Sequence, residues 1–212
     1  MELIQYWRLI VQNRIVIGAS TLVGLVIAAA ITFTTTPLYE SQAQIFVSTP
    51  ASTLDISALA TGSSFSQQRV KSYAQIINSP KTLEPVIQRL NLKMDATTLS
   101  SMVTASAPLD TVLISLTVTD TDPKRAAKIA NAVADQFGIT VGDLELHGIG
   151  VDSPVKVSTV KDAMPADSPA SPKKAINLAL GLLLGFGLGI GLASLRKLLD
   201  NTVKNEDDLL GT

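Results

Sequence analysis

Few side chains in this sequence suit acid–base, nucleophilic or metal chemistry. The 212 residues contain no cysteine and one histidine, which excludes thiol catalysis, disulfides and cysteine-based metal sites. We interpret His147 as a loop residue between glycines, with pH sensing as the alternative. Asp120 and Asp122 are close in sequence, but Asp122 directly precedes Pro123 and is better explained as a helix N-cap than as half of a carboxylate pair. The sequence therefore predicts no catalytic residue, no metal ligand and no cofactor.

Small residues at helical spacing favour packing rather than catalysis. Gly181, Gly185 and Gly189 recur every four residues in an apolar run, and Gly187 and Gly191 add a second row. Rows of this kind let helices approach each other closely in lipid. Two partners remain open, namely the first apolar run of the same chain and another copy of the protein. Because five glycines exceed what one small-residue partner requires, we favour contacts between protomers of a homo-oligomer.

The C-terminal residues 196–212 carry side chains that suit a membrane surface and a soluble partner. Arg196 and Lys197 fit an anionic headgroup layer. A short stretch beyond them combines one basic residue, three acidic residues and two leucines: Lys204, Glu206, Asp207, Asp208, Leu209 and Leu210. We interpret this stretch as a docking peptide whose acidic side chains face a basic patch and whose leucines fill an apolar groove. The alternative is a solvated tail without a partner.

Two long apolar runs must position these groups. Residues 15–33 and 175–195 contain no charged side chain, and about 20 apolar residues cross a hydrocarbon core of about 30 Å. We predict transmembrane helices over 15–36 and 175–195, in contact with the lipid bilayer of the plasma membrane. The first run is too long for the apolar core of a signal peptide and lacks a good cleavage site. We therefore favour a retained anchor over a cleaved signal.

The basic residues around the two runs predict the orientation of the chain. Arg8 and Arg14 precede the first run, and Arg196 and Lys197 follow the second. Lys173 and Lys174 before the second run argue for the opposite orientation, but they belong to a long loop, and long loops translocate largely regardless of charge. Short flanks rich in Lys and Arg tend to stay in the cytoplasm, so we expect a two-pass protein with both termini cytoplasmic and the centre extracytoplasmic. The remaining divisions are a cytoplasmic segment at 1–14, an external domain at 37–164, a stalk at 165–174 and a cytoplasmic tail at 196–212.

Alternating strand and helix patterns fill the external region. Apolar residues at every second position predict strands over 39–48, 111–119 and 155–160. Apolar residues three and four apart predict four helices, over 67–78, 79–90, 96–103 and from 123 to about 142–145. Between the first strand and the first helix, residues 50–66 are rich in small and polar residues and are read as a loop.

This order of elements predicts a membrane-anchored α+β fold. Two transmembrane helices flank one external domain, which has a small, mainly antiparallel sheet with helices packed on it. The first and last strands connect to the two spans, so we expect them to lie side by side. A proline-rich stalk, with Pro165, Pro169 and Pro172, leads into the second span as an extended segment.

Charge and motif content argue against two further functions. The formal net charge is −1, and the acidic and basic residues between the apolar runs are mixed rather than gathered into a basic stripe. Nucleic-acid binding relies on such a stripe to neutralise phosphates, so we predict no nucleic-acid partner. No Gly-x-x-x-x-Gly-Lys-Ser/Thr motif occurs in the sequence, and we predict no P-loop in this chain.

Several stretches, in order, resemble the chain-length determinant family, the Wzz-type polysaccharide co-polymerases. They are Met1–Ile10, Pro37–Val47, Asp120–Asn131 with its Asp-Pro and Ala-Asn pairs, Pro165–Pro172, the second apolar run and Leu199–Val203. The external domain is too short for the long helices of enteric members. It is more similar to the compact version of Gram-positive and actinobacterial capsule or exopolysaccharide systems.

The resemblance implies a non-enzymatic membrane subunit that forms a homo-oligomer and sets polymer length beside a membrane polysaccharide polymerase. It also implies a cytoplasmic tyrosine kinase as partner, either separate or fused beyond Thr212, which the C-terminal tail would activate. This sequence carries no terminal tyrosine cluster.

Two other classes of protein share parts of this pattern. The external sensor domain of a two-span membrane receptor has the same layout, but residues 196–212 show none of the sustained heptads that would carry a signal onward. A membrane-anchored hydrolase requires a nucleophile–base pair, which a single histidine makes unfavourable. We expect a P-loop kinase sequence beyond Thr212 to favour the polysaccharide regulator, and a coiled coil there to favour the receptor.

Overall fold

The computed structural model describes residues 11–48, 70–109, 111–149 and 156–199. They form two compact units. The first, which we call the helix pair, takes in the described residues up to Thr36 and from Pro172 onward. The second, the sheet domain, extends from Pro37 to Ser171. The sheet domain is therefore inserted in the chain between the two helices of the pair.

The helix pair consists of α1, Arg14–Thr34, and α6, Lys174–Leu199. Both are long and apolar enough to cross a membrane, with mean hydropathies of 2.4 and 2.1 over their most apolar stretches. A helix suits this role because its backbone groups bond within the segment. At the end of α1, the hydroxyl of Thr34 donates to the carbonyl of Ala30 at 2.7 Å. This bond from a threonine hydroxyl to the carbonyl four residues earlier adds to the backbone bonds of the helix.

The sheet domain contains four strands and four helices among its described residues. In chain order they are β1 (Tyr39–Ser48), α2 (residues 70–77), α3 (Pro80–Leu90), α4 (Ala96–Met102), β2 (Val103–Ser106), β3 (Leu113–Asp120), α5 (Pro123–Ile149) and β4 (Lys156–Lys161). The strands pair antiparallel in the order β2-β3-β1-β4. The predicted small antiparallel sheet and the pairing of the first and last strands are confirmed.

Alternation along the two central strands explains why one face of the sheet is buried. Ala43 lies opposite Leu116, and Ile45 lies opposite Ile114. Successive side chains of a strand point to opposite faces, so these residues share one face, and all four are completely buried. The intervening Gln42 and Phe46 are exposed on the other face. The apolar face of the sheet therefore forms the floor of the core.

The helices complete the core on that buried face. α5 presents a face of mostly small residues, with Ala126, Ala130 and Val133 buried, and inserts Phe137 as the largest fully buried side chain. Leucine, isoleucine and valine side chains of the other helices join the same cluster: Val70, Ile77, Leu83, Val86 and Leu99. Small residues let α5 approach the sheet closely, and the larger ones fill the space around it.

Two stretches of the sheet domain differ from the sequence prediction. The predicted helix over 96–103 ends at Met102, and the next residues form the unpredicted strand β2, too short for its alternation to be recognised. α5 runs past its predicted end to Ile149, so the backbone at His147 is helical rather than a loop. The helix continues although each glycine in a helix costs roughly 1 kcal/mol relative to alanine. The predicted loop over 50–66 lies outside the described residues.

Candidate functional site: a glycine-packed helix pair

Glycines bring the two helices of the pair into backbone contact. Gly181, Gly185 and Gly189 of α6 all face α1 of the same chain. A Cβ added at Gly185 would lie 2.8 Å from the carbonyl oxygen of Ser20. A Cβ at Gly24 of α1 would lie 2.6 Å from the carbonyl oxygen of Gly181. Backbone cannot yield as a flexible side chain does, so only glycine fits at these crossing points.

Within the chain, Gly181, Gly185 and Gly189 contact α1, which is the first of the two partners that the sequence left open. The preferred contact between protomers at these positions stays a prediction. The row spacing predicted a close helix contact, but the spacing does not say which helix is the partner, and the structure fills these three positions with α1. The second row has a different environment, because a Cβ at Gly187 or Gly191 would have no neighbouring atom within 4 Å. The open small-residue face of α6 is therefore the Gly187 row, and the homo-oligomer remains a proposal.

A polar contact joins the C-terminal end of α1 to the N-terminal end of α6. The side-chain amide of Asn177 donates to the hydroxyl of Thr32 at 3.3 Å, and Thr32 is 2% exposed. Nearby, the ammonium of Lys174 lies 5.8 Å from the ring centroid of Phe33, within range of a cation–π contact. Together with the glycine row, these contacts fix how far one helix is shifted along the other.

The contact line formed by Gly24 of α1 with Gly181, Gly185 and Gly189 of α6 is called the glycine seam below. An apolar groove runs beside this seam. Its volume is about 450 Å³, and its walls are mostly leucine, isoleucine, alanine and glycine, with Thr32 and Asn177 as the polar residues. It holds no titratable side chain and offers no acid, base or nucleophile. Among the residues that the structure describes, no three His, Cys, Asp or Glu side chains gather as a metal site.

The two aspartates considered as a carboxylate pair form a structural corner between β3 and α5. Asp120, whose side chain is 1% exposed, accepts hydrogen bonds from Nε and Nη2 of Arg125 at 2.7 and 2.5 Å and from the backbone N–H of Asp122 at 3.0 Å. The carboxylate of Asp122 accepts from the backbone N–H of Lys124 at 2.9 Å, as expected of an N-cap. Both carboxylates are therefore engaged in holding the chain rather than in facing a substrate.

The corner also sets the ionisation of Asp120. Burial raises the pKa of this carboxyl, but hydrogen bonds from the Arg125 guanidinium and the Asp122 N–H outweigh burial and hold the pKa below its ordinary value. The same contact raises the pKa of Arg125. Sequence reasoning found the N-cap but missed the ion pair, whose signal is an aspartate at the end of a strand and an arginine in the first turn of the next helix.

The predicted stalk belongs to the sheet domain as far as Ser171. Its three prolines occupy the irregular connection between β4 and α6: Pro165, Pro169 and Pro172. Leu38 donates to the carbonyl of Ser171 at 2.9 Å, and Ala170 donates to the carbonyl of Leu38 at 2.8 Å. The connection up to Ser171 accordingly belongs to the sheet domain.

The predicted kinase-contact residues cannot be placed in this geometry. Lys204, Glu206, Asp207, Asp208, Leu209 and Leu210 lie outside the described residues. Their role as a docking peptide stays a prediction from the sequence.

Comparison with solved structures identifies the fold. A full-length bacterial polysaccharide co-polymerase superposes with a TM-score of 0.55 over 96% of this chain and 100% of that one. The two sequences are only 13% identical, so this likeness defines the architecture alone. The helix pair and sheet domain are thus those of the class of α+β proteins with a polysaccharide co-polymerase fold.

Comparison of sequences identifies the family. Residues 1–90 match the family model of the Wzz chain length determinant protein. The probable capsular polysaccharide biosynthesis protein YwqC of Bacillus subtilis is 31% identical over 92% of this chain and 75% of its own length. A CapA protein of Staphylococcus aureus is 32% identical (89% and 81%), and CpsC of Streptococcus pneumoniae is 28% identical (100% and 90%); both are capsular polysaccharide biosynthesis proteins. The chain belongs to the Wzz chain length determinant family, which confirms the resemblance seen in the sequence.

Proposed function

We propose that this protein is a non-enzymatic regulator of surface polysaccharide synthesis, which controls the polymerisation, chain length or export of a capsule or exopolysaccharide. The observation that carries the proposal is the identity of about a third, over most of the chain, to named capsular polysaccharide biosynthesis proteins. The buried carboxylate Asp120 is tied into a structural corner, and the groove of the helix pair offers no reactive side chain.

The protein acts, in this proposal, as a two-pass component of the plasma membrane beside a membrane polysaccharide polymerase. α1 and α6 span the bilayer, and the sheet domain lies outside the cytoplasm. Support comes from the length and hydropathy of both helices and from the basic residues at their terminal ends, including Arg14 and Arg196. The outward-facing leucines of the pair also suit lipid, since Leu184 and Leu188 are 67% and 66% exposed.

A homo-oligomer is part of the same proposal. Because α1 occupies the Gly185 row, the row of Gly187 and Gly191 is the face of α6 that remains open for a neighbouring protomer. Close helix contacts in lipid depend on small residues of this kind. Size analysis of the detergent-solubilised protein tests this point, since Gly187→Leu is expected to reduce the oligomer while the sheet domain stays folded.

The C-terminal tail is the proposed contact with a cytoplasmic tyrosine kinase, separate or fused. A short tether to the membrane raises the effective concentration of a docking peptide to about the millimolar range, so a weak contact suffices. Reversing Glu206, Asp207 and Asp208 to Lys is expected to weaken kinase recruitment and kinase phosphorylation. Normal phosphorylation in that variant would leave the tail as a plain membrane flank.

Deletion of the gene in its host tests the main proposal. We expect the surface polysaccharide of the deletion strain to change in chain length or amount, and the wild-type chain supplied in trans to restore it. The polymer is measured by gel filtration or gel electrophoresis of the extracted polysaccharide. An unchanged size profile and an unchanged yield would contradict the proposal.

A further inference from the structure

One asparagine of α5 is bonded to the backbone as if it were a neighbouring strand. The side-chain amide of Asn131 donates to the carbonyl of Ala163 at 3.0 Å and accepts from the N–H of Ala163 at 2.7 Å. Two residues of antiparallel strands exchange the same pair of bonds. Ala163 is 5% exposed, so Asn131 satisfies both backbone groups of a buried residue just after β4. The segment after β4 leads to α6 and is held by two sets of hydrogen bonds, which we call fastenings. The pairing of Asn131 with Ala163 is the first.

The second fastening holds the far end of the same connection. The N–H of Leu38 donates to the carbonyl of Ser171 at 2.9 Å. The carbonyl of Leu38 accepts from the N–H groups of Ala170 at 2.8 Å and Ser171 at 3.3 Å. Leu38 follows α1 closely in the chain, and Ser171 shortly precedes α6. The two ends of the sheet domain are therefore bonded to each other.

The segment between the two fastenings has no regular secondary structure to fix its conformation. Residues 162–170 form no helix or strand, and Pro165 and Pro169 lack an N–H to donate to a ladder. The position of this segment therefore depends on the bonds to Asn131 and the burial of Ala163 in the core at one end, and on the bonds to Leu38 at the other. This connection is the covalent link from β4 to α6. A segment that is hydrogen-bonded at both ends transmits a displacement of one end to the other, whereas a segment without these bonds absorbs it.

We propose that Asn131 and the Leu38–Ser171 bridge form a joint that stays closed while the protein works, and that Asn131 is a positioning residue for polymer-length control. The proposal rests on the proposed function. It assigns a role to the Asn of the Ala-Asn pair, which the helix pattern alone would treat as an ordinary half-buried polar residue. Loosening the joint uncouples the sheet domain from α6 without unfolding either unit.

Loosening and locking the joint in the full-length protein tests this proposal. Asn131→Asp keeps the acceptor for the Ala163 N–H but places a carboxylate oxygen against the Ala163 carbonyl. The natural chain has no cysteine, so Leu38→Cys with Ser171→Cys introduces a single possible disulfide. A hydrogen-bonded antiparallel pair has a Cα separation of about 5.5 Å, inside the range of about 4.4–6.8 Å that disulfides accept. Gln88→Glu on the exposed face of α3 is the control for an amide-to-carboxylate change.

Each variant is returned to the deletion strain, and the polymer size profile is compared with the wild-type profile. We expect Asn131→Asp to shift the profile toward that of the deletion strain, and Gln88→Glu to leave it unchanged. Oxidised Leu38→Cys/Ser171→Cys added to Asn131→Asp should restore the profile, and reduction should remove the restoration. The oxidised lock in the otherwise natural chain should control length normally.

Hydrogen exchange of the same proteins in membranes shows whether the joint has opened and the domain has stayed folded. In Asn131→Asp, we expect the amides of Ala163 and Ala170 to exchange at least about tenfold faster, with Ile114 in the central strand unchanged.

Three results would overturn the joint. They are a wild-type profile despite fast exchange at Ala163, a failure of the lock to restore length control, and a loss of control in the locked natural chain. The last result means that the joint must open for length control. It contradicts the proposal even if Asn131→Asp fails to fold. An unchanged polymer in the deletion strain would contradict both the proposed function and the joint. The three results above would contradict only the joint.

Discussion

The helix pair and the sheet domain bury small residues for the same purpose but place their large apolar residues on opposite sides. In the sheet domain, large side chains such as Phe137 and Ile114 lie inside, and polar residues such as Gln42 face out. In the helix pair, glycines lie inside, and leucines such as Leu184 face out. The first arrangement is stabilised by removing apolar surface from water. The second relies on close packing of the two backbones, which is typical of helix pairs in lipid.

This contrast implies that the two regions fail in different ways. A core residue of the sheet domain is vulnerable to loss of volume, because a cavity remains. A seam residue of the helix pair is vulnerable to gain of volume, because the atoms it meets belong to backbone. Each change in one region is matched with a control substitution that should leave the packing within that region intact.

Enlarging a seam glycine is expected to have the largest effect. The leucine of Gly185→Leu would overlap the backbone of α1 near Ser20 and force the helices apart. Gly187→Leu points to open space in the same helix and should leave the pair intact. The readout is cross-linking of Thr32→Cys to Asn177→Cys in membranes with a short thiol-specific reagent. Efficient cross-linking in Gly185→Leu would contradict the account of the seam.

Replacing a large core residue of the sheet domain by a small one is expected to have the second-largest effect. Phe137→Ala should destabilise the sheet domain by about 3–5 kcal/mol, the usual cost of removing a buried aromatic side chain. Ile139→Ala lies on the same helix but is 54% exposed, and its effect should be small. Protease resistance and hydrogen exchange of the sheet domain measure both changes. The helix-pair cross-link should persist in each, and its loss in Phe137→Ala would mean that the two units do not fold separately.

The corner at Asp120 should contribute less to the stability of the sheet domain, and its contribution should depend on pH. Asp120→Asn should destabilise the sheet domain by about 1–3 kcal/mol at neutral pH, because a buried acceptor of charged donors is lost. The folded pKa of Asp120 lies below its ordinary value of 3.8, so the unfolded state binds the proton first as the pH falls. The contribution is present above that value and is lost as the pH falls through the folded pKa.

Urea unfolding of the detergent-solubilised protein, followed by hydrogen exchange in the sheet domain, measures this effect. The difference between the natural chain and Asp120→Asn should shrink below pH 4, roughly where ordinary aspartates titrate. Asp135→Asn is the control, since its side chain is 62% exposed in a pair with Arg89 and exposed pairs contribute about 0–1 kcal/mol. A difference that grows in acid would mean that the sign of the Asp120 shift is wrong.

The polar contact inside the helix pair should have the smallest effect. Asn177→Leu removes the bond to Thr32, and such interhelical bonds contribute about 0.6 kcal/mol on average in membranes. Thr34→Val is the control, because the Thr34 hydroxyl bonds its own helix at Ala30. SDS titration in mixed micelles compares the stability of the two variants. A loss in Asn177→Leu as large as that in Gly185→Leu would shift the account from glycine packing to polar contacts.

The same contrast explains which elements the sequence predicts well. Strict alternation marked β1 and β3, and long apolar runs marked α1 and α6, because in these segments one face or the whole surface has a single environment. β2 was missed because four residues, from Val103 to Ser106, give too few alternations. The end of α5 was missed because Gly142 and Gly148 suggest a break, whereas the helix continues through both glycines to Ile149.

The candidate site was predicted less well, for reasons that are equally physical. The spacing of Gly181, Gly185 and Gly189 gives the existence of a close helix contact but not the identity of the partner. Asn131 lies in a helical pattern whose signal is local, whereas its partner Ala163 lies far away in sequence. Long-range hydrogen bonds of this kind leave no periodic trace, so only the folded chain reveals them.

The most direct test of the central claim is the size distribution of the surface polysaccharide made by the deletion strain carrying either the natural chain or Gly185→Leu. The account predicts that the natural chain restores the wild-type chain length, and that Gly185→Leu, present at the same level, leaves the distribution of the deletion strain. Identical distributions in the wild-type, deleted and restored strains would contradict the claim that this protein regulates polysaccharide length.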